Sequence, residues 1–235
     1  MRWLILLGCW LALPVMATAR TPTTVIVLDT LHQMHAAVPA YDNAALQHAI
    51  EELKPDVLCV ELQPDDLITR PAEKTKQEYP AVIYPLIDSH HYRVYAMEPA
   101  EPLYSAILAP YRANTEAFDS HEPARAEAFD KYSESLYAVL QAHWTSPAAV
   151  NDDATDTAFR AKHVLQEALM GPAERAGWEA WNRHFLEVVQ HAARENRGRR
   201  ILVTVGAEHG YWLRAHLRTL ADVTLLDTPA ALRGR

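Results

Sequence analysis

The sequence predicts an α/β fold: a mainly parallel central sheet flanked by helices, with a large all-helical insertion before the penultimate strand. Three observations lead there. Five short runs are rich in β-branched and apolar residues, and most run apolar without alternation, as strands covered on both faces do. Helical periodicity fills several of the gaps between them, the strand–helix alternation of α/β proteins. Residues 100–198 carry helical patterns and no convincing strand, too long a crossover for a plain strand–helix–strand unit.

The elements follow in order. "TTVIVLDT" (23–30) reads as the first strand. Asp42 then caps "DNAALQHAIEELK", whose Leu46, Ile50 and Leu53 share one helical face. "DVLCVEL" (56–62) is the second strand, after a Lys-Pro break. "EYPAVIYPLIDSHH" (78–91) is a short helical candidate interrupted by Pro85, and "YRVYAMEP" (92–99) is the third strand. Four helices are predicted over 102–118, 123–144, 156–170 and 176–195, with "TSPAAVNDDATD" (145–156) as a loop. They form the insertion, anchored by Trp144, Trp178 and Trp181 as ordinary core. "RRILVTVG" (199–206) is the strongest strand, "GYWLRAHLRTL" (210–220) the helix after it, and "DVTLLDT" (222–228) the last strand.

Residues 1–19 read as a cleaved secretory signal: Arg2, an apolar core, then Ala17-Thr18-Ala19. The core is broken by Pro14 and is shorter than the roughly 20 apolar residues a span needs. Arg20 then begins a single domain of residues 20–235 with its insertion at about 100–198. A bacterial lipoprotein box at "LLGC", with Cys9 as the lipid carrier, is the competing reading. After cleavage only Cys59 remains, so no intramolecular disulfide forms; a periplasmic or secreted location follows. No later stretch is long and apolar enough to span a membrane. The net charge is −8, and no basic run of useful length occurs, which argues against nucleic acid as a partner. Oligomeric state is not legible.

Ionisable groups collect at the strand ends. The first strand leads to Asp29, His32 and His35; the second ends in Glu61; the third in Glu98, with Glu101 beyond; the fourth in Glu208 and His209; the fifth in Asp227. In an open parallel sheet these ends share one edge, where α/β proteins bind ligands. Asp227 reads as a helix cap, Glu101 and His35 as solvated or supporting groups, and His90 and His91 as surface at the opposite edge. Two neutral imidazoles with one or two carboxylates suit a divalent metal such as manganese, cobalt or zinc. Water on such a metal becomes a nucleophile near neutral pH. Glu61, Glu98 and Glu208 are the candidate catalytic carboxylates, and His32, Glu61, His209 and Asp29 the candidate metal ligands. His35, Tyr211 and Trp212 are candidates for binding. There is no H-E-x-x-H, no G-x-S-x-G and no glycine-rich phosphate loop among only seven glycines. Cys59, inside an apolar strand, reads as inert core.

The histidine after the first strand, the glutamate of "VEL", and Gly206-Ala207-Glu208-His209 as a late G-x-x-H resemble the TraB/GumN/Tiki group. That group belongs with erythromycin-esterase-like and haem-binding ChaN-like proteins. The early motif departs from the pattern: "DTLH" has Asp29 where the group has glycine. The resemblance implies an α/β fold with a helical insertion and a site of His32, Glu61 and His209. In the Tiki branch it implies a metal-dependent peptidase, and in the esterase-like branch hydrolysis without an obligatory metal. The expectation is a metal-dependent hydrolase acting on a peptide or another small amide or ester. The alternatives are a non-catalytic haem or metal binder, with His32 or His209 as ligand and Tyr211 and Trp212 lining the pocket, and a structural module whose rim charges only cap helices.

Overall fold

A computed structural model describes residues 22–72 and 74–233. The expected signal sequence, its expected cleavage site and Cys9 lie outside the described residues. Five parallel strands form one sheet in the order β3-β2-β4-β1-β5: β1 (Thr23–Thr30), β2 (Val57–Val60), β3 (Arg93–Ala96), β4 (Arg200–Gly206) and β5 (Val223–Leu225). The three central strands are buried almost throughout, as continuous apolar runs require. β3 and β5 are edge strands and only half covered.

Helix α1 (Asn43–Leu53) starts where Asp42 accepts the Ala45 N–H, as the sequence indicates, and turns Leu46, Ile50 and Leu53 into the core. A single turn α2 (Pro64–Thr69) follows β2; it has Pro64 at its start and too few residues to show periodicity. The expected interruption at Pro85 takes another form. A π-helical turn over Tyr79–Ile83 runs straight into α3 (Tyr84–His90), so Pro85 sits where the hydrogen-bond pattern changes from π to α.

The insertion between β3 and β4 consists of helices α4 (Leu103–His121), α5 (Pro123–His143), α6 (Pro147–Val150), α7 (Asp153–Met170) and α8 (Pro172–Glu195). The segment expected to be a loop at 145–156 contains α6 and the start of α7. Ser146 caps one through the Ala149 N–H (3.2 Å), and Asp152 caps the other through the Thr155 N–H (3.0 Å). Buried Trp144 anchors this corner, its indole donating to Thr155 Oγ1 at 3.0 Å beside Phe159. The remaining helices are α9 (Ala207–Leu217) after β4 and α10 (Thr228–Arg233) after β5. No helix among the described residues is long and apolar enough to cross a membrane.

The strand order fixes where a ligand can enter. The chain leaves β1 towards β2 on one side and leaves β4 towards β5 on the other. Each connection passes the other strand, β1 past β4 and β4 past β1, so right-handed crossovers place them on opposite faces, and such a switch opens a crevice at the neighbouring strand ends. In the register of the sheet Thr30 lies beside Gly206, so His32 and the start of α9 flank that crevice.

Candidate active site

Four of the residues named from the sequence meet in or against this crevice: His32, Glu61, Glu208 and His209. Helix α9 begins directly at Ala207, three residues earlier than expected. Glu208 and His209 therefore lie in its first turn rather than on a strand. That turn carries N–H groups without intrahelical partners and the positive end of the helix dipole, and no side chain caps it. A cavity of 210 Å³ is lined by His32, Met34, Tyr137, Phe159, Trp178, Gly206, Glu208 and His209, among others.

Gly206 is required by close approach, since its φ of −54° suits any residue. A Cβ there would lie 2.6 Å from His32 Nε2 and 3.4 Å from Glu61 Oε2. Glu61 Oε2 accepts the Gly206 N–H at 2.6 Å, and Glu61 Oε1 lies 3.7 Å from His32 Nε2 and 3.3 Å from Lys76 Nζ. Burial opposes the charge of Glu61, but Lys76, His32 and His209 outweigh it and hold the carboxyl down at about 2.

The two imidazoles stand in contrasting surroundings. His32 Nδ1 meets the fully buried carboxylate of Glu78 at 2.8 Å. Burial works against its imidazolium, yet Glu61 and Glu78 together raise its pKa. His209 Nδ1 meets a neutral partner, the Asn182 Oδ1, at 2.8 Å. Its ring is stacked on Trp178 (4.6 Å between centroids) and tilted against Phe185 (5.3 Å). Burial there lowers its pKa to about 4 despite Glu61 and Glu208. The amide carbonyl can only accept, so Nδ1 carries the proton and Nε2 is left with its lone pair.

His32 is also strained: its φ is +51°, in the left-handed region. Among the described residues the other non-glycine positions with positive φ, Lys54, Arg70 and His91, each end a helix, where that conformation is common. His32 has no such excuse, and strain of this kind collects at functional sites.

Glu208 is held by the insertion. It receives Lys162 Nζ at 2.8 and 2.7 Å and the Tyr137 hydroxyl, and His163 Nε2 lies 2.9 Å away without hydrogen-bond geometry. Burial opposes its charge, but His163 and Lys162 depress its pKa far below the carboxylate range. A carboxylate so paired makes a poor base; it fastens α5 and α7 to the wall of the crevice. Glu98 reaches the site only through Lys76, which bridges it to Glu61, and burial raises its pKa.

The remaining named residues lie outside the cavity. Asp29 is fully buried and points to Arg214 (Nη2–Oδ2 2.7 Å, Nη1–Oδ1 3.2 Å), which also holds Asp156. Gly210 gives this carboxylate its room, for a Cβ there would strike Asp29 and Arg214. His35 is committed at both nitrogens: Nε2 accepts the Leu31 N–H at 3.0 Å and Nδ1 meets the Tyr41 carbonyl at 2.5 Å. Tyr211 accepts the Trp178 indole N–H at 3.1 Å, and Trp212 donates to Glu179 at 3.1 Å and stacks on His216. Asp227 caps α10 through Ala230, Glu101 caps α4 through Ser105, and His90 and His91 are exposed. Cys59 is buried, its thiol pushed up by burial.

Among the described residues no group of three or more His, Cys, Asp or Glu side chains is arranged to hold a metal ion. The donor chemistry agrees. Asp29 is spent on Arg214, and Glu61 is shared between a main-chain N–H and the Lys76 ammonium, which takes the place a cation would need between Glu61 and Glu98. The chain matches no protein-family model, no curated protein and no solved structure.

Proposed function

We propose that the protein is a hydrolase of ester or amide bonds whose site is His32, Glu61 and His209, a divergent member of the TraB/GumN/Tiki group working in the metal-free manner. The observation that carries this reading is the pair of imidazoles with opposite partners, a carboxylate on His32 and an amide on His209. Titratable groups whose surroundings push their pKa values apart mark out an acid and a base. The donor set does not fit a divalent metal, so no step is routed through one.

In the proposed reaction His209 Nε2 takes a proton from water as the water oxygen attacks the carbonyl carbon. The N–H groups in the first turn of α9 stabilise the oxygen that becomes negative. The His32 imidazolium gives its Nε2 proton to the leaving oxygen or nitrogen as the bond to carbon breaks. Glu61 stays ionised and keeps His32 charged and aimed. Solvent then carries the proton from His209 back to His32. The haem-binding alternative has less support: the cavity beside His209, 210 Å³, is below the roughly 300–1,000 Å³ of ligand pockets.

The test is a panel of simple esters and amides offered to the chelator-treated protein, wild type against His209→Gln. Hydrolysis by the wild type and a loss of about 10²–10⁴-fold in the variant are expected for a general base. No hydrolysis of any member, or hydrolysis restored only by manganese, cobalt or zinc, overturns the reading.

A further inference from the structure

A second cavity adjoins the first and shares two of its walls. It measures 160 Å³ and is lined by Leu108, Tyr111, Gly177, Trp178, Trp181 and His209. Trp178 and His209 line both cavities. Helix α4 supplies Leu108 and Tyr111, and α8 supplies the glycine and both tryptophans.

The chamber is built rather than left over. Gly177 lets Tyr111 lie on the backbone of α8, since a Cβ there would come 2.5 Å from Tyr111 Cδ2. The Tyr111 hydroxyl is tied to Gln166 at 3.4 Å, and Gln166 in turn to buried Glu174 at 2.7 Å. Trp178 is clamped from both sides, by His163 at 3.7 Å and His209 at 4.6 Å, and its indole N–H is spent on Tyr211. Trp181 packs edge-on against Tyr104. The walls are thus held in place and largely aromatic. In size the chamber is close to the apolar cavities of about 150 Å³ that hold benzene, but it is half open to solvent, its lining residues being only partly buried.

We infer that this chamber is a specificity subsite for a phenyl-sized apolar group of the substrate, placed so that the scissile carbonyl lies against His209 in the first cavity. The inference rests on the hydrolase reading for its catalytic consequence but not for binding itself. Burying a phenyl group in such a chamber raises kcat/KM about ten- to a hundredfold over a methyl group in its place.

Two measurements test it. The first compares methyl esters of acetic, butyric, phenylacetic and naphthylacetic acids, and acetyl esters of methanol and benzyl alcohol. A preference of at least tenfold for the phenyl-bearing member of one series is expected, with naphthyl falling back. In Leu108→Trp, which fills the chamber, the phenyl-to-methyl ratio should collapse towards one. The second follows fluorobenzene by fluorine NMR with the full chain: saturable binding to the wild type, lost in Leu108→Trp when circular dichroism shows that variant folded. If it does not fold, Leu108→Ala replaces it, and the optimum should move from phenyl to naphthyl. Esters hydrolysed without size preference, and no saturable fluorobenzene binding, overturn the subsite. Fluorobenzene binding without hydrolysis of any ester supports the subsite and sinks the hydrolase reading instead.

Discussion

Replacing Gly206 by alanine tests the geometry of the site with one methyl group. The backbone at φ −54° accepts alanine. The new Cβ would lie 2.6 Å from His32 Nε2, whereas ordinary contacts begin at 3.4 Å, so the imidazole must retreat by about 0.8 Å. It cannot do so freely, because Nδ1 is held by Glu78 at 2.8 Å. Misplacement by about 1 Å can cost about 10²-fold in rate, or about 2.7 kcal/mol of transition-state stabilisation. Stability should fall by up to about 2.6 kcal/mol, since crowding costs about 1–3 kcal/mol and losing a glycine from the unfolded chain returns about 0.4–1 kcal/mol. Two assays are needed: kcat/KM on the best ester, and NMR titration of His32, whose pKa should fall as it leaves Glu61 and Glu78. Unchanged activity together with an unchanged His32 titration would refute the claim that His32, Glu61 and Gly206 form one close-packed unit.

Other outcomes follow from the same contacts. Asp29→Asn leaves buried Arg214 paired with Asp156, and burial already raises the Asp29 pKa to about 7, so urea denaturation near neutral pH should show a loss of no more than about 1–3 kcal/mol, the cost of the hydrogen bonds left unmade; activity lost with stability unchanged would place Asp29 in the chemistry instead. Glu78→Gln removes the carboxylate that raises the His32 pKa, so the alkaline limb of the kcat/KM–pH profile should move to lower pH, and an unmoved limb would deny His32 the acid role. His209 is held neutral in the fold, with its pKa near 4 against an ordinary value near 6.5. The unfolded chain binds that proton first, so His209 favours unfolding increasingly as the pH falls from about 6.5 to 4. His209→Gln should therefore lose less melting temperature over that interval than the wild type; an equal loss would mean that His209 titrates normally.

The fold was legible because its signals are local. Apolar β-branched runs marked each strand, and the helical insertion declared itself by periodicity and by the lack of any strand between β3 and β4. Short elements escaped: α6 rests on the Ser146 cap, α2 on Pro64, and neither offers enough residues for periodicity. His32, Glu61, Glu208 and His209 were legible because strands end beside them and the parallel sheet gathers its ends. Their partners were not. Lys76 and Glu78 come from the segment before the π-helical turn, Asn182 from mid-α8, and Lys162, His163 and Tyr137 from helix faces indistinguishable in sequence from solvated ones. Each reaches the crevice through tertiary packing alone. Asp29 shows the converse: it stands at a strand end like the others, but its side chain meets Arg214 of α9, a partner that no spacing along the chain announces.

The central claim is that two imidazoles in one crevice hold opposite protonation states. Long-range nitrogen–proton NMR correlations of the histidine rings, assigned with His32→Gln and His209→Gln, measure this without knowledge of the substrate. His209 should stay neutral, with its proton on Nδ1, down to about pH 4. His32 should remain an imidazolium beyond the ordinary midpoint near pH 6.5. If both rings titrate together near 6.5, or their order is reversed, the assignment of base and acid is contradicted.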